Sequence, residues 1–181
     1  MDFAAEIDKV TIHFQSQFKS LEMADMQLKP SPDQWSIAEV IAHLIQVTDS
    51  YRETFEAIRN AKYNAPWLGK IGFLRNAMGN MILKSVLPTT KRKIKTFPIW
   101  EPKASLADPA VLDNFAQHQE YLKDFIHFAK GAKLLETPIS SPANKNIVYT
   151  LGLAFEIIIR HQERHLEQAM DIHEQLKENQ A

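Results

Sequence analysis

His161 and His165 stand four residues apart in the run Ile157-Ile158-Ile159-Arg160-His161-Gln162-Glu163-Arg164-His165. On a helix this spacing brings the two Cβ atoms within about 5 to 6 Å, so both imidazoles can reach one metal ion at about 2.0 to 2.1 Å. With seven histidines in 181 residues, about one random shuffle in four gives some pair at this spacing, which makes spacing alone a weak motif. Position on the helix says more. At about 100° per residue, both rings fall in the arc of Ala154, Ile157, Ile158, Ala169 and Ile172, in the middle of an apolar stripe. A lone buried histidine is ordinarily a core residue satisfied through one nitrogen. Two adjacent rings are harder to satisfy, because each buried nitrogen left without a partner costs about 1 to 3 kcal/mol. A shared metal satisfies one nitrogen of each.

Two more histidines compete for a third place. His43 lies at the edge of another stripe, beside Val40 and Val47, and His118 borders a stripe between Phe115 and Leu122. Spacing leaves both open. His13, His127 and His173 lie off these faces and read as solvated, and Arg160, Glu163, Arg164 and Glu167 read as a charged outer face. Three neutral imidazoles leave a divalent ion with uncompensated charge and an open position, the pattern of a catalytic site. That position would hold water, with a pKa lowered to about 7 on zinc, or the anionic end of a substrate or thiol cofactor. The group that does the chemistry would then be metal-bound water or thiolate, with no catalytic side chain identified. Glu39, four residues before His43, and Gln46, three after it, are placed to orient the His43 ring.

These side chains need a scaffold. The stripe Phe3, Ile7, Val10, Phe14, Phe18 and Leu21 predicts a helix over about residues 2–28, stopped by Lys29-Pro30-Ser31-Pro32. Ser36-Ile37-Ala38-Glu39 is a capping box, opening a second helix that carries Val40, Leu44, Val47, Tyr51, Phe55 and Ile58 and fades near Lys62. Residues 63–107 are broken repeatedly by proline and glycine, with a short helix expected around 70–85 and an ordered loop after it. Asp108-Pro109 starts a third long helix, carrying Val111, Phe115, Leu122, Phe125 and Ala129 and ended by Gly131. A last helix is expected from Tyr149 to Lys177. Four long amphipathic helices without strand-like alternation predict an all-α four-helix bundle in a single domain over 1–181. The long connection between the second and third helices lets those two run parallel.

Composition narrows the function. The formal net charge is −1, so no global field recruits nucleic acid or an anionic membrane. There is no cysteine, which removes disulfides, thiolate ligands and a cysteine nucleophile. The first residues lack a basic segment followed by an apolar core, and no apolar run approaches the ~18 residues that span a bilayer. A soluble cytoplasmic protein is the expectation.

Trp35-Ser36-Ile37-Ala38-Glu39, then His43-Leu44, and much later His161-Gln162-Glu163-Arg164-His165 with Gln168 resemble the DinB/YfiT-like superfamily of bacterial proteins. The likeness spans essentially the whole chain. It implies an up-down-down-up four-helix bundle with a short extra helix in the crossover, commonly a homodimer, with a divalent metal held by His43, His161 and His165. That assignment moves His118 to a supporting role. Zinc or nickel leads, with iron or manganese as further candidates. Relatives include thiol-dependent S-transferases and a mycothiol-dependent isomerase, so the resemblance implies a metal-dependent transferase using a low-molecular-weight thiol, or a hydrolase on the same ligands. The contrasting class is a non-enzymatic metal-binding or stress-response bundle. Gln168 and Trp100 complete the pocket candidates. The segment Lys91, Arg92, Lys93 and Lys95, interleaved with Phe97 and Trp100, is placed to steer an anionic small molecule, although a solvated loop is the commoner reading of such a run.

Overall fold

The first apolar stripe folds as expected, into α1 (Phe3–Phe18), with Ile7, Val10, Phe14 and Phe18 buried. The computed structural model of the chain describes residues 1–90, 96–104 and 107–178. α1 is shorter than its stripe predicts. A turn closes behind it, with Leu21 N–H on the Phe18 carbonyl at 3.1 Å, and the chain restarts as α2 (Met23–Gln27), which folds Met26 back onto the core. No glycine or proline marks the break. Burial of Met26 takes the place of one more turn of helix.

The capping box forms in both directions. Ser36 Oγ accepts from the Glu39 amide at 3.2 Å and Glu39 Oε2 accepts from the Ser36 amide at 2.9 Å. They open α3 (Ile37–Asp49), eleven of whose residues are buried. The single helix expected to reach Lys62 is broken instead at Ser50, where the side-chain hydroxyl donates to the Val47 carbonyl at 2.6 Å. There the Tyr51 amide turns to the Thr48 carbonyl at 3.2 Å, an i−3 bond that tightens the backbone, and the chain continues as α4 (Arg52–Arg59). The predicted short helix is α5 (Gly72–Val86), entered through a 3-10 turn at Trp67–Lys70, and a second 3-10 turn spans Pro98–Trp100. Lys91, Arg92, Lys93 and Lys95 lie outside the described residues. Asp108 caps a turn rather than the helix itself, accepting from the Ala110 amide at 2.9 Å, and α6 runs Val111–Gly131.

The expectation of no strands is corrected by a hairpin, β1 (Pro138–Ser141) and β2 (Asn144–Thr150), paired antiparallel with Ile139 opposite Tyr149. Its alternation covers too few residues to show as a period, and Pro138 stands at the first position of its strand, where no ladder amide is needed. α7 (Leu151–Glu178) follows directly.

The chain is mostly helical. α1 and α3 each pack against both α6 and α7, and α5 lies on β2 and α7. Around the middle of α3 and the C-terminal half of α7 the core holds Phe14, Phe18, Ile41, Phe115 and Ala169. The other end holds an aromatic cluster in which Phe55 stacks on Phe125 with centroids 4.2 Å apart, and Phe155 closes against both. Gly79 sets how near α5 comes. A Cβ there would lie 2.3 Å from Leu153 Cδ2 and 2.9 Å from Tyr149 Cβ, so only glycine allows this contact. Among the described residues no helix is long and apolar enough to cross a membrane.

Candidate metal centre

α3 and α7 converge on three imidazoles. His43, buried in the middle of α3, faces His161 and His165 on α7. His161 Nε2 lies 3.5 Å from His43 Nε2 and 3.0 Å from His165 Nε2. Ligating atoms of all three rings fall within 4.8 Å of one another. The outer nitrogens fix the tautomers of two rings. His43 Nδ1–H donates to the Trp100 carbonyl at 2.6 Å, and His165 Nδ1–H donates to Gln168 Oε1 at 2.7 Å. The Nε2 atoms of His43 and His165 therefore present lone pairs inward when the rings are neutral.

Burial keeps them neutral. It pushes His43 down to about 4, against the upward pull of the Trp100 carbonyl. It pushes His165 down to about 3, helped by His43 and opposed by Gln168. His161 is held well below the ordinary histidine value by burial first, then by the other two rings and Arg164. Neutral His161 has at most one inward proton to share between two acceptors, so at least one lone pair stays unmatched within the trio. A cation resolves that. Two nitrogens at about 2.0 to 2.1 Å from one ion, at a tetrahedral angle, are about 3.3 Å apart. The observed 3.0 and 3.5 Å separations bracket that value, so the donor set fits a divalent metal.

The same shifts set a pH dependence for metal-free protein. Between pH 6.5 and about 4, unfolded chains protonate these histidines and folded ones do not, so stability falls with pH across that window. Each ring contributes a slope of up to about 1.4 kcal/mol per pH unit. Denaturant melts of apoprotein at pH 7, 6, 5 and 4.5 should show the decline begin near pH 6.5. A flat profile would mean that the rings are not held neutral.

The centre opens on a cavity of about 590 Å³ whose walls include Trp35, Phe97, Trp100, Ile82, Val86 and Ile147. Trp35 packs on the centre itself, its ring centroid 5.0 Å from His43 and 6.2 Å from His165, nearly parallel to the latter. With this geometry in view, a comparison with known families is decisive: residues 7–169 match the family model of the DinB superfamily. The chain belongs to the DinB superfamily. No curated protein and no solved structure matches it.

Several candidate residues of this DinB superfamily chain take places that the sequence did not give them. Glu39 does not orient His43; its carboxylate is committed to the capping box and to Lys29 Nζ at 2.8 Å. Gln46 acts one step removed, with Oε1 accepting from the Lys103 amide at 2.8 Å, which ties down the segment that brings the Trp100 carbonyl to His43. His118 stands apart from the trio, near Asp49 and Arg52, with Nδ1 buried and without a hydrogen bond. Arg164, expected on an outer face, lines the cavity and donates to the Ser85 carbonyl at 2.7 Å. Glu167 lines it too, while Arg160 and Glu163 do pair with each other as surface charges at 2.8 Å. His13 and His127 are exposed as expected, whereas His173 is half-buried against the edge of Phe18. Trp35 was legible as part of a motif. Its contact with two imidazoles was not.

Proposed function

We propose that this protein is a metal-dependent transferase that activates a low-molecular-weight thiol at the centre formed by His43, His161 and His165. The observation that carries the reading is the meeting of three neutral imidazoles, two with outer nitrogens already satisfied, on the wall of a cavity large enough for a small molecule. A divalent ion bound there would supply acidity, holding a thiol as thiolate at neutral pH. The protein's own residues do the remainder. Trp100 and Gln168 hold two rings in the tautomer that points Nε2 inward. Trp35, Trp100 and Phe97 give the cavity aromatic walls that exclude water from an apolar electrophile.

Hydrolysis on the same three ligands is the second reading, since the ion would lower the pKa of bound water as it would that of a thiol; turnover that requires a thiol separates the two. The proposal extends to architecture, with α1, the α3–α4 pair, α6 and α7 as an up-down-down-up four-helix bundle forming one domain, and α5 in the crossover.

The test is conjugation of a model electrophile across a panel of thiols, with protein reconstituted in zinc or in nickel. Thiol-dependent turnover is expected to fall on the order of a hundredfold or more in His43→Ala. No turnover with any thiol, or turnover unchanged in the variant, would sink the proposal.

A further inference from the structure

The stretch from Ala57 to Trp100 holds nine of the chain's 21 lysines and arginines and none of its 22 aspartates and glutamates. A chain of net charge −1 is thus sharply segregated, and its near neutrality conceals a basic quarter. Within the described part of this stretch, Lys62, Lys70 and Lys84 are exposed and form no ion pair with a described residue.

The helix inside the stretch has a second property. Phe73 is 80% exposed and Met81 57%, and Trp67 in the turn leading into α5 is 70% exposed. Phe73, Ala77 and Met81 follow at spacings of four, so they share one side of α5, with Lys84 at its C-terminal end. The other side carries Gly79, Leu83 and Val86, which face the core and the hairpin. α5 therefore buries one apolar face and presents a second to the outside. A soluble surface seldom spends three large apolar side chains this way without a partner.

We propose that this outer face of α5, with the turn before it, docks on an anionic lipid surface. Phe73, Met81 and Trp67 enter the headgroup boundary, and Lys70 and Lys84 meet lipid phosphates. Apolar insertion joined to basic charge is the signature of a helix lying in the interface plane. α5 and the turn before it carry no acidic residue of their own, and the acidic side chains paired with this stretch, Glu136 at 3.9 Å from Arg75 and Asp124 at 2.6 Å from Arg59, meet its arginines rather than Lys70 or Lys84. A nucleic-acid surface fits less well, since phosphate contact wants cations in number and the outer side of α5 offers Phe73, Ala77, Met81 and two asparagines, Asn76 and Asn80, around one lysine. Contact would be peripheral, as no described helix can span a bilayer. The global charge balance that argues against a membrane averages this asymmetry away.

The experiment is co-sedimentation of the full-length untagged protein with phosphatidylcholine vesicles, with and without about 30% phosphatidylserine. Protein should pellet with the anionic vesicles at low salt and stay in solution with the neutral ones. Phe73→Ser/Met81→Ser and Lys70→Glu/Lys84→Glu should each lower the bound fraction about fivefold or more, with circular-dichroism melts unchanged because these positions are exposed. Failure to pellet with anionic vesicles would overturn the proposal, as would binding that neither variant weakens. It is equally overturned if sedimentation equilibrium shows a wild-type dimer that Phe73→Ser/Met81→Ser dissociates, since the face would then join two copies of this chain. Binding to a duplex oligonucleotide without vesicle binding would assign the charge to nucleic acid instead.

Discussion

Alanine in place of His161 is expected to strip the protein of its metal. His161 is the middle ring, 3.5 Å from His43 Nε2 and 3.0 Å from His165 Nε2, so its loss leaves only two imidazoles, one fewer than the three protein ligands of an open divalent-metal site. Elemental analysis of untagged wild type should find about one zinc, nickel, iron or manganese per chain, and His161→Ala should retain only traces. His118→Ala is the control, because that ring lies with Asp49 and Arg52 rather than with the trio. Neighbouring Gln162 keeps its reciprocal amide pair with Gln119, at 2.8 and 2.9 Å, so the helix should survive and far-ultraviolet circular dichroism should not change. Equal metal in wild type and His161→Ala, whether stoichiometric or trace, would remove the centre from consideration.

Phe125→Ala should produce the opposite pattern, a large loss of stability with the metal retained. Phe125 is fully buried, stacked on Phe55 at 4.2 Å and set edge-on to Phe155 at 6.1 Å. Cutting it to alanine removes the ring and leaves a cavity among stiff neighbours, which typically costs about 3 to 5 kcal/mol. For a chain of this size that corresponds to a drop in Tm on the order of 10 °C. Phe125 belongs to the core cluster away from the histidines, so metal content per folded chain should match wild type. A loss below about 1 kcal/mol would mean that the aromatic end collapses freely to fill the gap. Parallel loss of metal would mean that the two ends are coupled through α6 and α7.

What could be read from the residues, and what could not, divides along physical lines. The stripes of α1, α6 and α7 and the capping box of α3 are local patterns with a fixed period or spacing, and all appear. The pair His161 and His165 was legible for the same reason. His43 was open on spacing and needed the family resemblance, because its distance to α7 is a tertiary fact. The carbonyl of Trp100 on His43 Nδ1 had no signal at all, since a backbone acceptor carries no residue type. Arg164 and Glu39 were misplaced because a helical wheel gives a direction but not the length of a side chain or the competing partner at its tip. The hairpin escaped for want of length. The breaks after Phe18 and at Ser50 escaped because neither is marked by proline or glycine.

The contact at Gly79 reaches further than its own neighbourhood. α5 supplies Ile82, Ser85 and Val86 to the cavity wall, and it rests against Leu153 and Tyr149 at a distance that leaves no room for a side chain. Whatever fits between α5 and the histidines is thus gauged by a residue one to two turns earlier on the same side of the helix as the wall. Ligand size in this protein becomes adjustable from a position that no ligand touches, and a methyl group added there would act as a shim on the whole wall.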